Sequence, residues 1–172
     1  FAAPVALTVR GFVLERPSNP IEVKRMGVTA HEREIFAWIS ADTPRDAVIL
    51  EGNTYLWMPV YGGRRNFFPD ESTVSIFGYD GDPRIGRYRE IRDGVFSEAP
   101  LREEDMAALD GLAPDVYAVV WREDVERFPG IEERLARPPG RFERVYGNSA
   151  GTVYRFVRRG DGRGEGGGRA GT

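Results

Sequence analysis

The chain has 172 residues, 41% of them hydrophobic, and a formal net charge of −3. This length supplies one hydrophobic core of ordinary size, so we expect a single folded domain. Charges of both signs are interspersed, which excludes the basic footprint of a nucleic-acid-binding protein. Cysteine is absent, so disulfides and thiolate metal sites are excluded. No stretch approaches the roughly 20 apolar residues that span a bilayer, so we expect a soluble domain.

The N-terminal third predicts an irregular segment, a helix and a strand. Residues 1–27 contain three prolines and lack the charged start of a signal peptide, so we expect an irregular N-terminal segment of a longer protein. Apolar residues recur at helical spacing over residues 28–40. Pro44 ends that helix, and the apolar run 47–50 predicts a buried strand.

The middle of the chain has weaker patterns. Residues 55–61 are expected to be partly helical, and residues 65–68 to form a second short strand. Glycine, proline and charged residues are frequent from 70 to 100, where residues 71–77 and 84–91 predict short helices at best. This is the longest irregular region that we expect in the fold.

The C-terminal half returns to strong patterns. Residues 101–112 predict an amphipathic helix, and residues 116–121 predict the clearest buried strand. A helix follows over residues 124–136, interrupted at Pro129-Gly130. Its apolar stripe is expected to consist of Val125, Phe128, Ile131 and Leu135.

The domain is expected to end in a β-hairpin. Residues 142–146 and 152–157 alternate apolar and polar side chains around a glycine-containing loop. Residues 159–172 form a glycine-rich tail that we expect to be disordered. Residues 28–158 therefore predict a single α/β domain with a mostly parallel central sheet, helices on its sides and an antiparallel C-terminal hairpin at the edge.

Three groups of segments, taken in order, are similar to a known family. They comprise residues 28–34, 37–39 and 43–50; then the turn 61–65 with Phe67-Phe68; and then 115–121, 142–148 and 153–156. In them the chain resembles the C-terminal soluble domains of integral-membrane glycosyltransferases of the C-type fold, the dolichyl-phosphate-mannose mannosyltransferase-like group. Several uncharacterised bacterial membrane-protein families carry a similar tail.

The resemblance implies a location and a role. The domain would lie on the extracytoplasmic side of the cell membrane, beside the membrane-embedded portion of the same polypeptide. In the family the catalytic acidic residues lie in an early loop between membrane helices, so this domain would be noncatalytic, need no cofactor, and help to recognise an acceptor or a lipid-linked sugar. The alternative is a ligand- or protein-interaction module of a membrane protein without transferase activity.

The turn after the first predicted strand is the foremost candidate for a ligand site. Gly62 and Gly63 expose backbone amides beside Arg64 and Arg65, and this combination suits a phosphate group such as that of a lipid-linked sugar. A glycine turn with an arginine paired to a carboxylate remains an alternative. The aromatic side chains of Tyr55, Trp57 and Tyr61 either present a sugar-stacking surface or fill the core.

Two further groups of residues are candidates for a catalytic or metal site. Asp80-Gly81-Asp82 has a spacing with which two carboxylates can share a divalent cation, although aspartate and glycine before Pro83 are also ordinary turn residues. A freestanding metal-dependent enzyme built on this pair is a third reading of the function. His31 is the only histidine, and its place near a helix start favours a surface position over catalysis.

Overall fold

A computed structural model of the chain describes residues 28–52, 58–68, 74, 78, 81–138 and 140–159. The chain divides into two compact units, Phe1–Ala30 and His31–Thr172, and nearly all of the described residues belong to the second. The described elements are α1 (Ala30–Asp42), β1 (Val48–Glu51), a π-helical turn (Met58–Gly62), β2 (Arg65–Asn66), α2 (Pro83–Val95), α3 (Glu103–Leu112), β3 (Val116–Trp121), α4 (Arg122–Arg127), α5 (Ile131–Ala136), β4 (Phe142–Gly147) and β5 (Gly151–Phe156).

The five described strands form one mixed sheet in the order β2-β1-β3-β5-β4. β1 pairs in parallel with β2 and β3, whereas β5 is antiparallel to β3 and β4. The α/β class and the C-terminal hairpin at the edge of the sheet are confirmed. The expectation of a mostly parallel sheet is corrected, because the hairpin joins the sheet through β5 and makes half of these pairings antiparallel.

The two central strands are buried as their continuous apolar runs predict. Every residue of β1 is buried, as are the first five of β3. Val48 and Leu50 belong to a core cluster that includes Met106 of α3 and Leu135 of α5. Because side chains alternate along a strand, Ile49 points to the opposite face.

Helix α2 is longer than its sequence indicates. Residues 84–91 predict a short helix at best, but the structure has a helix over Pro83–Val95. The oxygen Oδ1 of Asp82 accepts a hydrogen bond from the backbone N–H of Arg84 at 2.8 Å, so the first turn is capped. Pro83 suits the first helical position because it has no N–H to satisfy there. Because α2 is largely polar, its sequence lacks the regular apolar spacing that would predict a helix of this length.

The helical stretch after β3 is split in two, as the Pro129-Gly130 pair predicts. α4 ends at Arg127 and α5 begins at Ile131, and Gly130 between them has a φ of 81°. The expected apolar stripe is wrong at one position, because Val125 is 37% exposed. Asp124 is instead buried, at 2% exposed, because its carboxylate bonds to the end of β3.

Candidate functional site

The carboxyl ends of the three parallel strands share one edge of the sheet. β1 lies between β2 and β3, so the connection after β1 leads to one side and the connection after β2 leads back to the other. In open α/β sheets, ligands bind outside the carboxyl ends of the strands where the strand order reverses in this way. The residues at these three ends are Glu51, Asn66 and Trp121.

Glu51 is the polar centre of this edge. Its side chain is 5% exposed, and its oxygen Oε2 accepts a hydrogen bond from Nε1 of Trp121 at 3.0 Å. This bond joins the end of β1 to the end of β3. The second oxygen, Oε1, is shielded from solvent and has no hydrogen-bond partner within the described part of the chain. A buried oxygen without a partner is costly, which makes Oε1 a candidate for contact with a ligand.

Asp124 brings a second carboxylate to the same edge. Its Oδ2 accepts a hydrogen bond from the backbone N–H of Trp121 at 2.9 Å, as the third helical residue does in a capping box. A Cβ atom on Gly52 would lie 2.6 Å from Oδ1 of Asp124 and 2.8 Å from Cδ1 of Phe96. A larger residue at position 52 would therefore force the side chains of Asp124 and Phe96 to move. Glu51, Gly52, Asn66, Trp121 and Asp124 are called the switch-point cluster below.

The environment of Glu51 favours its neutral form. Burial is the main cause that raises the pKa of Glu51 to about 8, and the charge of Asp124 adds to the rise. Hydrogen bonds from Trp121 and Asn66 act in the opposite direction and are outweighed. At neutral pH Glu51 is thus mainly a carboxylic acid, which can donate a proton in a hydrogen bond as well as accept one.

A row of aromatic rings leads from this carboxyl group to the protein surface. Trp121 packs against Phe36 with ring centroids 5.5 Å apart, and Phe36 stacks on Tyr61 with centroids 5.9 Å apart. Phe36 is buried, whereas Tyr61, on the π-helical turn, is 48% exposed. Single-turn π-helices are frequent at functional sites. The row therefore ends in an accessible aromatic ring beside Val60, which is 65% exposed.

The glycine and arginine turn predicted to bind phosphate makes bonds within the protein. The guanidinium group of Arg64 is buried and donates to Oγ1 and the carbonyl of Thr43 and to the carbonyls of Ser40 and Gly63. These contacts satisfy carbonyl groups at the C-terminus of α1. Arg65 is exposed and donates to the carbonyl of Asp46 at 3.1 Å.

The two glycines of that turn have separate roles. Gly63 has a φ of 61°, a conformation that favours glycine. A Cβ atom on Gly62 would lie 2.8 Å from Sδ of Met58. The turn is thus shaped by backbone geometry and by packing against Met58, and ligand binding there stays a prediction.

Of the remaining residues predicted to bind a ligand or a metal, the structure describes Asp82. Tyr55, Trp57 and Asp80 lie outside the described residues. Both carboxylate oxygens of Asp82 accept hydrogen bonds from Arg84, and these bonds lower the pKa of Asp82. Asp82 therefore acts as a helix cap. Among the described residues no group of three or more acidic or histidine side chains could hold a metal ion.

Sequence patterns missed the switch-point cluster. The available signal was Glu51-Gly52 directly after a buried apolar run, because a charged residue at the end of a buried strand must be paired or neutral. Asp124 was concealed by its place in a charged helical segment.

Comparisons with known proteins do not add to these observations. No family model, no curated protein and no solved structure matches the chain. In the described part of the chain, no helix is long and apolar enough to cross a membrane. The function of this chain is therefore inferred from the geometry of the described residues.

Proposed function

We propose that this chain is a noncatalytic recognition domain that binds a hydroxyl-rich ligand at the switch-point cluster. The observation that carries the proposal is the carboxyl group of Glu51, which bonds to Trp121 through one oxygen, while the other oxygen has no partner among the described residues. A neutral carboxylic acid and a sugar hydroxyl are complementary, since each can donate one hydrogen bond and accept another. The position at a topological switch point also fits a ligand site.

The aromatic row supports a sugar as the ligand. Tyr61 presents an exposed ring at one end of the row, and flat apolar ring faces combined with a few polar groups are typical of small-molecule sites. Glu51 is only 5% exposed, so a ligand hydroxyl can reach Oε1 only if the protein atoms that shield Oε1 from solvent move aside. We therefore expect first contact at Tyr61, followed by a local opening at the carboxyl ends of β1 and β3.

For the parent protein we propose a membrane-embedded glycosyltransferase-like protein, with this domain on the extracytoplasmic side. The ligand would then be an acceptor or a lipid-linked sugar. The support is the resemblance of the ordered segments in residues 28–156. The alternative is an interaction module of a membrane protein without transferase activity. The gene upstream of the Phe1 codon separates these cases. Many apolar spans with an acidic pair in the first large loop favour the transferase. A reading frame that begins just before the Phe1 codon, or that adds only a cleavable signal peptide, overturns the membrane proposal.

Ligand binding can be tested by NMR titration of the whole chain with mannose and short mannose oligosaccharides. We expect saturable shifts of the Trp121 indole N–H signal, because this group bonds to Glu51. Tyr61→Ala should weaken binding, and Val60→Ala is the matched control from the same turn. If the indole signal does not move at millimolar sugar, or if both variants bind as the wild type does, the sugar proposal is wrong.

A second candidate function is acid–base catalysis by Glu51 and Asp124. The specific observation is a carboxyl group with a pKa raised to about 8 beside the charge of a second carboxylate. Such pairs supply the acid and the base of several enzyme classes. Turnover of nitrophenyl glycosides by the chain, abolished in Glu51→Gln, would favour this candidate over the noncatalytic proposal.

A further inference from the structure

A cavity of about 280 Å³ lies against helix α5, away from the residues of the switch-point cluster. Pro100, Leu101 and Pro138 supply apolar parts of its lining. Glu98, Glu133, Arg134 and Arg137 supply charged groups. A mainly apolar lining with a small number of polar groups is the usual composition of a small-molecule site.

One edge of the Arg134 guanidinium group has no acceptor. Its Nη1 donates to the carbonyl of Ala99 at 2.5 Å. Its Nε and Nη2 are shielded from solvent and have no hydrogen-bond partner among the residues that the structure describes. These two nitrogens lie on the same edge of the planar group, so their N–H bonds form a fork that matches the two oxygens of a carboxylate.

In two other arginines of this chain, the edge formed by Nε and Nη2 binds a carboxylate. Nε and Nη2 of Arg102 bond to Asp105 at 2.6 and 2.9 Å. Nε and Nη2 of Arg84 bond to Asp82 at 3.2 and 2.8 Å. Arg134 has the corresponding donors, but no carboxylate of the described part of the chain bonds to them, although the charge of Arg134 is partly desolvated.

The acidic groups near Arg134 do not fill this position. Glu133 pairs with Arg137 at 2.5 Å. The charge of Glu98 acts on Arg134 from a distance at which it forms no salt bridge. Burial is the main cause that lowers the pKa of Arg134, and the charge of Glu98 opposes this effect only in part. The positive charge of Arg134 therefore lacks full compensation by a negative charge. An anion at the free edge would provide it.

We propose that this cavity binds a small monocarboxylate with a short apolar body. The carboxylate bonds to Nε and Nη2 of Arg134, and the body lies against Pro100, Leu101 and Pro138. The volume of about 280 Å³ is close to twice the roughly 150 Å³ of an apolar cavity that holds benzene. Apolar walls and the nearby charge of Glu98 disfavour a dianion such as phosphate. Because both nitrogens are shielded from solvent, the carboxylate can reach them only if the side chains that cover them move.

The test is the thermal unfolding of the whole chain in sodium butyrate, with sodium chloride at equal ionic strength as the reference. We expect the Tm to rise with butyrate concentration and to saturate, because a ligand that binds only the folded state stabilises it. Arg134→Met should weaken the apparent affinity about tenfold or more. Arg137→Met is the matched control, since Arg137 lines the same cavity and is paired with Glu133, and it should respond like the wild type.

Three outcomes overturn the proposal. One is an equal response of the wild type and Arg134→Met, which would show a general salt effect. Another is a larger rise in phosphate than in butyrate at equal ionic strength. The third comes from a variant with better prospects of folding, Arg134→Lys, which keeps the charge and lacks the fork. If butyrate, monitored by its own saturation-transfer NMR signal, binds that variant as tightly as the wild type, bidentate recognition is wrong.

Discussion

Replacement of Glu51 by glutamine should make the protein more stable at neutral and alkaline pH. The pKa of Glu51 is about 8 in the folded chain, against 4.5 for an unperturbed glutamate. Between these values the folded state keeps a proton that the unfolded state releases, so stability falls as the pH rises from 4.5 and levels off above 8. The gap of about 3.5 pH units corresponds to about 4–5 kcal/mol at roughly 1.4 kcal/mol per unit.

Urea unfolding between pH 5 and pH 9, followed by tryptophan fluorescence, measures this effect directly. Over that range the unfolding free energy of the wild type should fall by most of the roughly 4–5 kcal/mol that the pKa difference of Glu51 implies. The unfolding free energy of Glu51→Gln should fall much less. Asp82→Asn is the control, because the lowered pKa of Asp82 places its titration below the tested range. A wild-type stability that stays constant or increases from pH 5 to pH 9, together with an unchanged slope in Glu51→Gln, would refute a buried neutral carboxyl.

Three further substitutions test the contacts around this edge and the turn beside it. Trp121→Phe removes the donor to Glu51, so the pKa of Glu51 should rise further and the loss of stability should continue to a higher pH in the same urea series. Gly52→Ala places a Cβ atom 2.6 Å from Oδ1 of Asp124 and should cost about 1–3 kcal/mol of unfolding free energy, measured at pH 7. Arg64→Met leaves carbonyl groups at the end of α1 unpaired and should cost about 2–4 kcal/mol; a phosphate-binding role alone would leave stability nearly unchanged.

Most of the fold was predictable because burial leaves a strong periodic pattern in the sequence. β1 and β3 are continuous apolar runs, and the hairpin of β4 and β5 alternates around a short loop. The length of α2 was underestimated because its segment is largely polar and shows no clear apolar periodicity. Its stability comes from a cap at Asp82 and from the burial of Ile91 and Val95. The share of antiparallel pairing was underestimated because strand pairing is a long-range property that no local pattern encodes.

The candidate site was less predictable for the same reason. Glu51 and Trp121 are separated by 70 positions in the sequence, and they meet only because β1 and β3 pair in parallel. The arginine turn was the more visible motif, yet Arg64 bonds to the C-terminus of α1. A short motif identifies residue types that are able to bind a ligand. The tertiary fold decides which partners those residues bond to.

The variant Glu51→Gln distinguishes a requirement for an acid at position 51 from a structural requirement for any polar side chain there. Glutamine can accept the hydrogen bond from Trp121 as glutamate does, so the bridge between β1 and β3 does not itself require a carboxyl group. Glutamine cannot release a proton, and it should be the more stable choice above pH 4.5. A variant that gains stability and loses sugar binding would show that Glu51 serves the ligand at a cost to the fold, which is the trade-off expected of a functional site. A variant that gains stability and binds sugar unchanged would assign Glu51 to the core.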